Sequence, residues 1–432
     1  MSEEPKTILD KFSEWVEKNL MPPMMKLVEE PHFAAVRDGL ASAISLVIVG
    51  SMFLIIAFPP YEPWDAAVAP IRDLLLMPFN YLMGIYSLYV SMGVAYSLAK
   101  KKEIDPLQPT IVAVAMFLLT SVPMVSVATP EMTALNADYL GAVSLFTAII
   151  ISLIAVEVFA YFEKKGLTVK LPPQVPPAIA QSFIALVPLT VLTIVFWGLV
   201  GIAGVDLPDL IIGALSVIII AADTLPAVLL AEGFHAFLWC FGVHGDLTIG
   251  TVLTPIWTVN LLENAEAVAN GLKPTHIYTD PFRSFYIVPG GSGATLPLAI
   301  LCLRSKSKRL QAVGRAAIVP GIFNINEPIT FGVPVFLNPI MWIPFITVTL
   351  WNAFFGYVMT AVGFASPAYA TPPWTTPGPL GALLATGFSF GAFVVGLLNE
   401  FVWPFIIWYP FFKVWEKRLL KEEAAEAAPE ES

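Results

Sequence analysis

Apolar runs of roughly twenty residues recur along this chain from Leu40 to near its C-terminus, with short polar segments between them. A helix of that length, rising about 1.5 Å per residue, crosses about 30 Å of hydrocarbon. The runs are apolar on every side, whereas a membrane barrel has strands of about ten residues that alternate between apolar and polar positions. We therefore predict an all-α integral membrane protein with about ten transmembrane helices.

The basic residues predict the orientation of these helices. Of the 23 Lys and Arg residues, 20 fall in five clusters. Such clusters stay on the cytoplasmic side of a membrane, so we predict a multi-pass protein of the cell membrane with both termini in the cytoplasm. The predicted crossings are Leu40–Phe58, Leu74–Ala99, Leu107–Ala128, Tyr139–Phe162, Ala178–Gly204, Leu225–His244, Leu247–Leu262, Phe285–Leu303, Met341–Phe364 and Leu380–Phe412.

Polar residues and prolines interrupt the second half of the chain. We predict an interfacial amphipathic helix that ends near Ala222, an N-cap at Asp223 and a crossing that begins at Leu225. The segment Ile318–Pro339 contains four prolines in 22 residues, which a continuous membrane-spanning helix does not tolerate. We predict a re-entrant hairpin there, because irregular backbone at membrane depth survives only where protein buries it or where it lines a water-filled cavity.

The composition excludes a soluble enzyme. Of the 432 residues, 57% are hydrophobic and only 13% are charged, with a mean hydropathy of +0.75. An ordinary soluble domain is about 25% charged. The residues up to Pro31 lack the basic-then-apolar pattern of a cleaved signal peptide, so we expect the chain to begin in the cytoplasm. The net charge of −10 includes an acidic C-terminal tail and indicates little about a substrate.

The motifs predict no cofactor, no metal and no nucleic-acid partner. Cys240 and Cys302 lie in apolar stretches without metal-ligand spacing, which also argues against a disulfide framework. The glycine-rich run Gly290–Thr295 lacks the Gly-Lys-Ser or Gly-Lys-Thr ending of a phosphate-binding P-loop. We interpret its small residues as allowing close helix packing or exposing backbone groups to a substrate.

Glu327 is the strongest candidate for substrate binding. A carboxylate at membrane depth is costly, and Pro328 is expected to keep it off a regular helix, on an exposed turn. Its oxygens can accept hydrogen bonds from two hydroxyl groups at once. The alternative is a carboxylate satisfied internally by backbone or by a helix N-terminus, and the pattern alone leaves both open. Asn324 and Asn326 are equally open, because such amides often cap re-entrant backbone.

His244 and two tryptophans are further candidates. His244 lies between glycines, where the backbone can leave a helix, although a lone membrane histidine can equally be a packing residue. His235, nine residues earlier, points to the other side of a regular helix, and we assign it to packing. Trp239 and Trp374 suit stacking on the apolar face of a ligand ring, with an interfacial belt as the alternative. Contact between Trp239 and His244 requires a break near Gly242.

Four sequence strings, in this order, resemble the membrane-embedded IIC component of phosphoenolpyruvate-dependent phosphotransferase systems, in its lactose, cellobiose and diacetylchitobiose branch. They are Phe241-Gly-Val-His-Gly245, Gly290-Gly-Ser-Gly-Ala-Thr295, Pro320-Gly-Ile-Phe-Asn-Ile-Asn-Glu-Pro-Ile-Thr330 and Pro373-Trp-Thr-Thr-Pro377. The resemblance extends from about Arg37 to about Phe412. Many relatives have Asn three residues after the motif histidine, where this chain has Leu247, and this departure concerns the identity of the sugar.

The resemblance implies a homodimeric sugar permease with four parts. These are a cytoplasmic amphipathic segment (1–39), a five-helix dimer-interface part (40–205), a substrate-binding transport part with a re-entrant segment (206–412) and an acidic cytoplasmic tail (413–432). The transport part is implied to move in an elevator-like displacement. The segments outside the spans are too short for a IIA or IIB domain, so we expect those proteins to be separate chains.

The resemblance also implies the function. The chain would bind a β-linked disaccharide such as cellobiose, diacetylchitobiose or lactose from outside and present it to a cytoplasmic IIB protein, itself phosphorylated through IIA. The phosphoryl group then passes from a IIB cysteine to the sugar, so we assign no catalytic residue to this chain. The implied sugar contacts are His244, Glu327, Asn326, Trp239, Trp374, Gly291 and Ser292.

Two other classes of function compete with this one. In an ion-coupled secondary sugar porter, Glu327 or Asp223 would carry a proton and no partner protein would be needed. A purely structural membrane protein is disfavoured by the polar, proline-broken second half of the chain, because packing helices rarely carry such costly interruptions.

Overall fold

The fold, here a computed structural model, is described for residues 15, 18–19, 21–59, 61–128, 131–169, 172, 182–335 and 338–426. Residues 1–14, 16–17 and 20 of the predicted N-terminal segment, the end of the acidic tail and the first residues of the Ala178–Gly204 crossing lie outside the described residues.

Helices dominate the described residues. In the first half they are Met21–Glu29, Pro31–Ser42, Ile44–Ala57, Glu62–Val68, Arg72–Leu82, Tyr86–Lys101, Leu107–Ser121, Leu145–Lys164 and Leu186–Trp197. In the second half they are Leu207–Ala222, Leu225–Cys240, Gly245–Ala269, Asp280–Phe282, Leu296–Leu303, Lys308–Ile322, Glu327–Gly332, Pro339–Ala361, Gly378–Ala385, Phe390–Leu397 and Trp403–Glu426. Short 3₁₀ turns cover Ala69–Ile71, Ala137–Leu140 and Ala142–Ser144, and π-helical segments cover Gly198–Ile202, Arg283–Ile287 and Leu398–Val402.

Within the described part of the chain, six helical stretches are long and apolar enough to cross a membrane, or seven if one bent pair is counted as a single span. The prediction of an all-α chain with several membrane-length helices is therefore confirmed. The six stretches are Pro31–Ala57, Glu62–Lys101, Ala142–Lys164, Ser182–Ile202, Pro339–Ala361 and Phe390–Glu426, and the bent pair is Leu207–Ala222 with Leu225–Cys240.

Three predicted crossings are wrong as continuous helices. The crossing predicted at Leu107–Ala128 ends at Ser121 because Pro123 disfavours helix in the residue before it, and the strands Met124–Ala128 and Glu131–Leu135 then form an antiparallel hairpin. Glycine-rich backbone interrupts Phe285–Leu303 before the helix at 296. Gly387, whose φ is +60°, breaks Leu380–Phe412 where a left-handed residue ends a helix.

The chain bends by 76° between Leu207–Ala222 and Leu225–Cys240. The helix end predicted at Ala222 is confirmed, but the N-cap predicted at Asp223 is wrong, because Thr224 occupies that position. The Asp223 carboxylate instead accepts hydrogen bonds from the backbone N–H groups of Ile277 and Tyr278, at 3.2 and 2.5 Å. The acidic residue therefore fastens the loop after the Gly245–Ala269 helix to the bend.

An ion cluster strengthens this attachment. The His276 ring lies 3.3 Å from Asp223 and 2.7 Å from Glu263. Hydrogen bonds to Asp223 and then to Glu263 raise the pKa of His276 to about 9, so the ring is protonated at neutral pH. The charged ring adds an ionic contact to the backbone hydrogen bonds that hold the loop.

The helices Leu296–Leu303 and Lys308–Ile322 form a close antiparallel pair. A Cβ atom at Gly314 would lie closer than 3.0 Å to the backbone nitrogen of Leu303, so only glycine allows this approach. The far ends of the pair carry the two glycine- and asparagine-rich turns that line the candidate site. The helix Lys308–Ile322 continues through Pro320, but helix breaks follow at 323–326 and 333–335, so no continuous helix runs through the segment Ile318–Pro339, as predicted.

Gly314→Ala tests this helix contact. We expect the free energy of unfolding to fall by about 1–3 kcal/mol, because the added methyl group meets backbone that cannot move aside cheaply. Gly213→Ala is the matched control, since a Cβ atom at this helical position has nothing within 4 Å. Thermal unfolding of the detergent-solubilised protein measures both variants. Equal melting temperatures for the two variants would contradict the close contact.

Candidate functional site

A cavity of about 320 Å³, which we call the polar cavity, contains all seven residues implied as sugar contacts. Its volume is at the lower end of the range of about 300–1,000 Å³ that is typical of small-ligand sites. The lining residues are Trp239, His244, Asp246, Arg283, Ser284, Val288, Gly291, Ser292, Asn324, Asn326, Glu327 and Trp374. A larger cavity of about 730 Å³ near Asp38 and Tyr89 has a mostly apolar lining and none of the candidate residues.

A helix break at Gly242 brings Trp239 and His244 together. Gly242 has a φ of +78°, a conformation that glycine adopts without strain. The ring centroids of Trp239 and His244 lie 4.4 Å apart, so the break required for their contact is confirmed. His244 caps the next helix, and its Nδ1 atom accepts from the backbone N–H of Leu247 at 3.3 Å. A neutral His244 ring therefore carries its proton on Nε2 and offers the cavity one donor.

The glycine-rich run Gly290–Thr295 forms a tight turn against Asn326. Gly291 has a φ of +93°, and a Cβ atom there would lie closer than 3.0 Å to the Asn326 side chain. The Asn326 amide donates to the carbonyl of Ser292 at 2.7 Å and to the hydroxyl of Thr295 at 3.0 Å. Glycine at 291 thus allows the Asn326 side chain to lie directly against this turn. The Asn326 side-chain oxygen has no partner among the described residues.

Asn324 joins three loops around the polar cavity. Its side-chain oxygen accepts from the backbone N–H of Gly290 at 2.7 Å, and its amide donates to the carbonyls of Trp374 at 2.6 Å and Thr376 at 2.8 Å. Asn324 adopts a φ of +63°, the left-handed conformation that asparagine tolerates better than most residues. The sequence left open whether Asn324 and Asn326 bind a ligand or cap backbone, and both amides bond to backbone.

Glu327 has a carboxylate with no hydrogen bond or ion pair to any described residue. It is exposed at the first position of the short helix Glu327–Gly332, with Pro328 beside it. The expectation of a turn outside any helix is wrong, because proline fits the first turn of a helix, where its missing N–H has no partner to lose. The alternative was that another group of the protein pairs with the Glu327 carboxylate, and no described residue does so.

A buried ionic cluster that the sequence analysis missed lies beside the polar cavity. The Arg283 guanidinium donates from Nε to Glu232 at 2.9 Å and from Nη2 to Asp246 at 2.5 Å. Only 8% of the Arg283 side chain is exposed. A lone arginine outside the five basic clusters, within an apolar stretch, was the available signal. Arg283 also begins a π-helical segment, a geometry that is frequent at functional sites.

His235 is buried, as expected of a packing residue, but its neighbours are polar and not apolar. Its Nε2 atom lies 2.9 Å from the Arg283 guanidinium and 3.2 Å from the Trp239 indole N–H. The same nitrogen also lies 3.2 Å from Oδ1 of Asp246. His235 is therefore a buried packing residue, and the helix break brings a charged cluster against this face.

Asn324 variants separate its backbone conformation from its hydrogen bonds. We expect Asn324→Ala to lower the free energy of unfolding by about 3 kcal/mol, from three lost hydrogen bonds and a strained left-handed alanine. Asn324→Gly removes the backbone strain but still lacks the three hydrogen bonds. Its free energy of unfolding should therefore be only about 1 kcal/mol higher than that of Asn324→Ala. Thermal unfolding of both variants measures the difference. Full recovery by glycine would show that the three hydrogen bonds contribute nothing.

Comparison with known proteins shows what this chain is similar to. Residues 37–349 match the family described as phosphotransferase system, EIIC. The chain is 35% identical over 440 aligned positions to the cellobiose-specific EIIC component of a phosphotransferase system from Geobacillus stearothermophilus, with 97% of each chain covered. It is 33% identical to the lichenan permease IIC component of Bacillus subtilis (strain 168), with 96% of each covered.

Two further relatives extend the comparison. The lactose-specific EIICB component from Lacticaseibacillus casei is 33% identical, over 94% of this chain and 71% of that protein. The crystal structure of the transporter ChbC, the IIC component from the N,N'-diacetylchitobiose-specific phosphotransferase system, superposes with a TM-score of 0.88. It shares 31% sequence identity, covering 95% of this chain and 99% of that chain.

Proposed function

We propose that this chain, which belongs to the EIIC family of phosphotransferase systems and is therefore a multi-pass membrane sugar permease, binds a β-linked disaccharide in the polar cavity. Its relatives are named for cellobiose, lactose and N,N'-diacetylchitobiose, and these three sugars are the candidates. The observation that carries the proposal is the convergence of Glu327, His244, Asn326 and two indoles on one cavity.

The hydrogen bonds already made inside the protein determine what the cavity offers a sugar. Glu327 retains all of its acceptor positions, and Asn326 retains its side-chain oxygen. His244 retains Nε2 as a donor because Nδ1 is occupied by Leu247. Acceptors therefore predominate, so the cavity favours a ligand rich in hydroxyl donors, as a disaccharide is.

Two indole rings supply the apolar contacts that a sugar ring needs. The Trp239 N–H is already donated to Asp246 at 3.1 Å, so the ring offers its face. Trp374 is 59% exposed, while Asn324 holds its backbone carbonyl in place. Aromatic rings contribute large contact areas with defined geometry. We assign both rings to stacking on pyranose faces.

The partner in this proposal is a phosphorylated IIB protein in the cytoplasm, supplied in turn by IIA. Relatives named EIICB join the two components in one protein, which supports their association here. In the proposed reaction the sugar enters from outside, and the phosphoryl group passes from the IIB cysteine to the sugar 6-hydroxyl as the sulfur–phosphorus bond breaks. This chain binds and positions the sugar. Its termini are assigned to the cytoplasmic side of the cell membrane.

The movement proposed is an elevator-like displacement of residues 206–412 against residues 40–205 of a homodimer. One buried apolar cluster lies wholly within residues 35–207, and two others lie within residues 228–412. Separate cores support a division into two parts, because each part then keeps its packing when it moves. A fourth cluster combines residues from both parts and includes Val259 and Leu261.

Glu327→Gln tests the sugar contact. We expect the affinity to fall at least tenfold, about 1.4 kcal/mol, because a charged acceptor contributes more than a neutral amide. Protection of the detergent-solubilised protein against thermal unfolding, measured with cellobiose, N,N'-diacetylchitobiose and lactose, gives the affinity. Glu62→Gln, at an exposed carboxylate outside the cavity, is the control. A well-folded Glu327→Gln variant with unchanged affinity would remove Glu327 from the site.

Transport into sealed vesicles separates the permease from an ion-coupled porter. We expect accumulation of phosphorylated sugar when phosphorylated IIB is supplied on the cytoplasmic side, and no accumulation driven by a proton gradient alone. The physical reason is that phosphorylation traps the sugar as an anion, whereas a porter couples to an ion gradient. Accumulation of unmodified sugar that follows the proton gradient without IIB would support the porter.

A further inference from the structure

We infer that Asp246 is a positioning residue that holds Trp239 and Ser292 in their sugar-binding orientation, an inference that rests on the proposed function. One oxygen of the Asp246 carboxylate, Oδ2, accepts from the Trp239 indole N–H at 3.1 Å and from the Ser292 hydroxyl at 3.2 Å. These two donors come from different segments, the helix Leu225–Cys240 and the glycine-rich turn. A single carboxylate oxygen therefore joins two segments that line the polar cavity.

The other oxygen of Asp246 is held by Arg283. Its Oδ1 atom lies 2.5 Å from Nη2 of Arg283, and Nε of the same guanidinium is bonded to Glu232 at 2.9 Å. The planar guanidinium fixes the direction of each bond, so two carboxylates on consecutive helices are held at set positions. Asp246 cannot rotate away from Trp239 and Ser292 without breaking a buried ion pair.

Gly245 shows how closely this arrangement is packed. A Cβ atom at Gly245 would lie 2.5 Å from the His235 carbonyl oxygen and 2.9 Å from the Trp239 ring. The residue before Asp246 must therefore be glycine for the second helix to begin against the end of the first. This close approach places the carboxylate within reach of the indole N–H.

The arrangement determines the hydrogen-bonding direction of Ser292. Because the Ser292 hydroxyl donates its only proton to Asp246, its oxygen faces a ligand as an acceptor. The single Trp239 N–H is shared between Asp246 at 3.1 Å and Nε2 of His235 at 3.2 Å, which leaves the ring face for stacking. An asparagine at position 246 offers an NH₂ group to one neighbour, so it cannot accept from Trp239, Ser292 and Arg283 at once. Asp246 thus makes the Ser292 oxygen an acceptor of hydrogen bonds from sugar hydroxyls.

A direct contact between Asp246 and the sugar is the competing explanation, since Asp246 lines the cavity and its side chain is 30% exposed. The two explanations predict different sugar affinities for a variant that lacks both Asp246 and Ser292. If Asp246 acts through Ser292, the effect of losing Ser292 depends on whether Asp246 is present. If each residue contacts the sugar independently, the two losses multiply in the dissociation constant.

A double-mutant cycle tests the inference with whichever of cellobiose, N,N'-diacetylchitobiose or lactose protects the wild-type protein best against unfolding. We expect Asp246→Asn to weaken binding at least tenfold and Ser292→Ala to weaken it less. The double variant should bind about as Asp246→Asn alone. A double variant weaker by the product of the two factors overturns the positioning role, and so does unchanged affinity in a folded Asp246→Asn protein.

Melting temperatures without sugar establish that each variant is folded. If Asp246→Asn does not fold, Arg283→Lys takes its place in the same cycle. Lysine keeps the positive charge but lacks the planar guanidinium that bonds to Glu232 and Asp246 together. Non-additivity with Ser292→Ala supports the inference, and additivity overturns it. Absence of binding by the wild-type protein to all three sugars would instead overturn the proposed function, and the positioning role with it.

Discussion

A charged group inside a membrane protein must find its partner within the protein, because hydrocarbon offers none, and this constraint shapes the second half of the chain. Arg283 is the clearest case, with its guanidinium bonded to Glu232 and Asp246. The three residues belong to two consecutive helices and a π-helical segment. Removing one partner would leave a buried charge uncompensated, which is far more costly than the pair is favourable. The cluster therefore keeps these segments in one arrangement beside the polar cavity.

Side-chain amides satisfy the same constraint for the irregular backbone. Asn324 bonds to the glycine-rich turn and to the loop that carries Trp374, and Asn326 bonds to Ser292 and Thr295. Without these amides the turns would leave carbonyl and N–H groups unpaired, a cost that membrane proteins avoid. The loops that interrupt the helices are thereby rigid enough to hold side chains at fixed positions in the cavity. The hydrogen bonds of Asn324 and Asn326 therefore stabilise the irregular backbone and shape the cavity at the same time.

The polar groups of the cavity that have no described partner inside the protein connect the fold to the function of its family. The chain is a membrane sugar permease of the EIIC family, and its polar cavity presents an unpaired carboxylate at Glu327 with one imidazole donor at His244. The Glu327 carboxylate is exposed in the cavity and is therefore accessible to a ligand. Sugar hydroxyls match this surplus of acceptors, and two indole faces match the apolar faces of pyranose rings. The proposed phosphorylation by IIB needs only that this chain holds the sugar still while its hydroxyl reacts.

The sequence by itself determined the all-α membrane class, the helix end at Ala222 and the need for a break at Gly242, because apolar length and local backbone preference are properties of neighbouring residues. It also identified the seven candidate residues that the structure brings into one cavity. Only the tertiary structure decided the pairing of Arg283 with a residue 51 positions away and the bridging of Asn324 to partners 34 and 52 positions away. It likewise decided that the buried His235 packs against a charged cluster. Such contacts depend on which segments meet in space, and no periodicity along the chain records that.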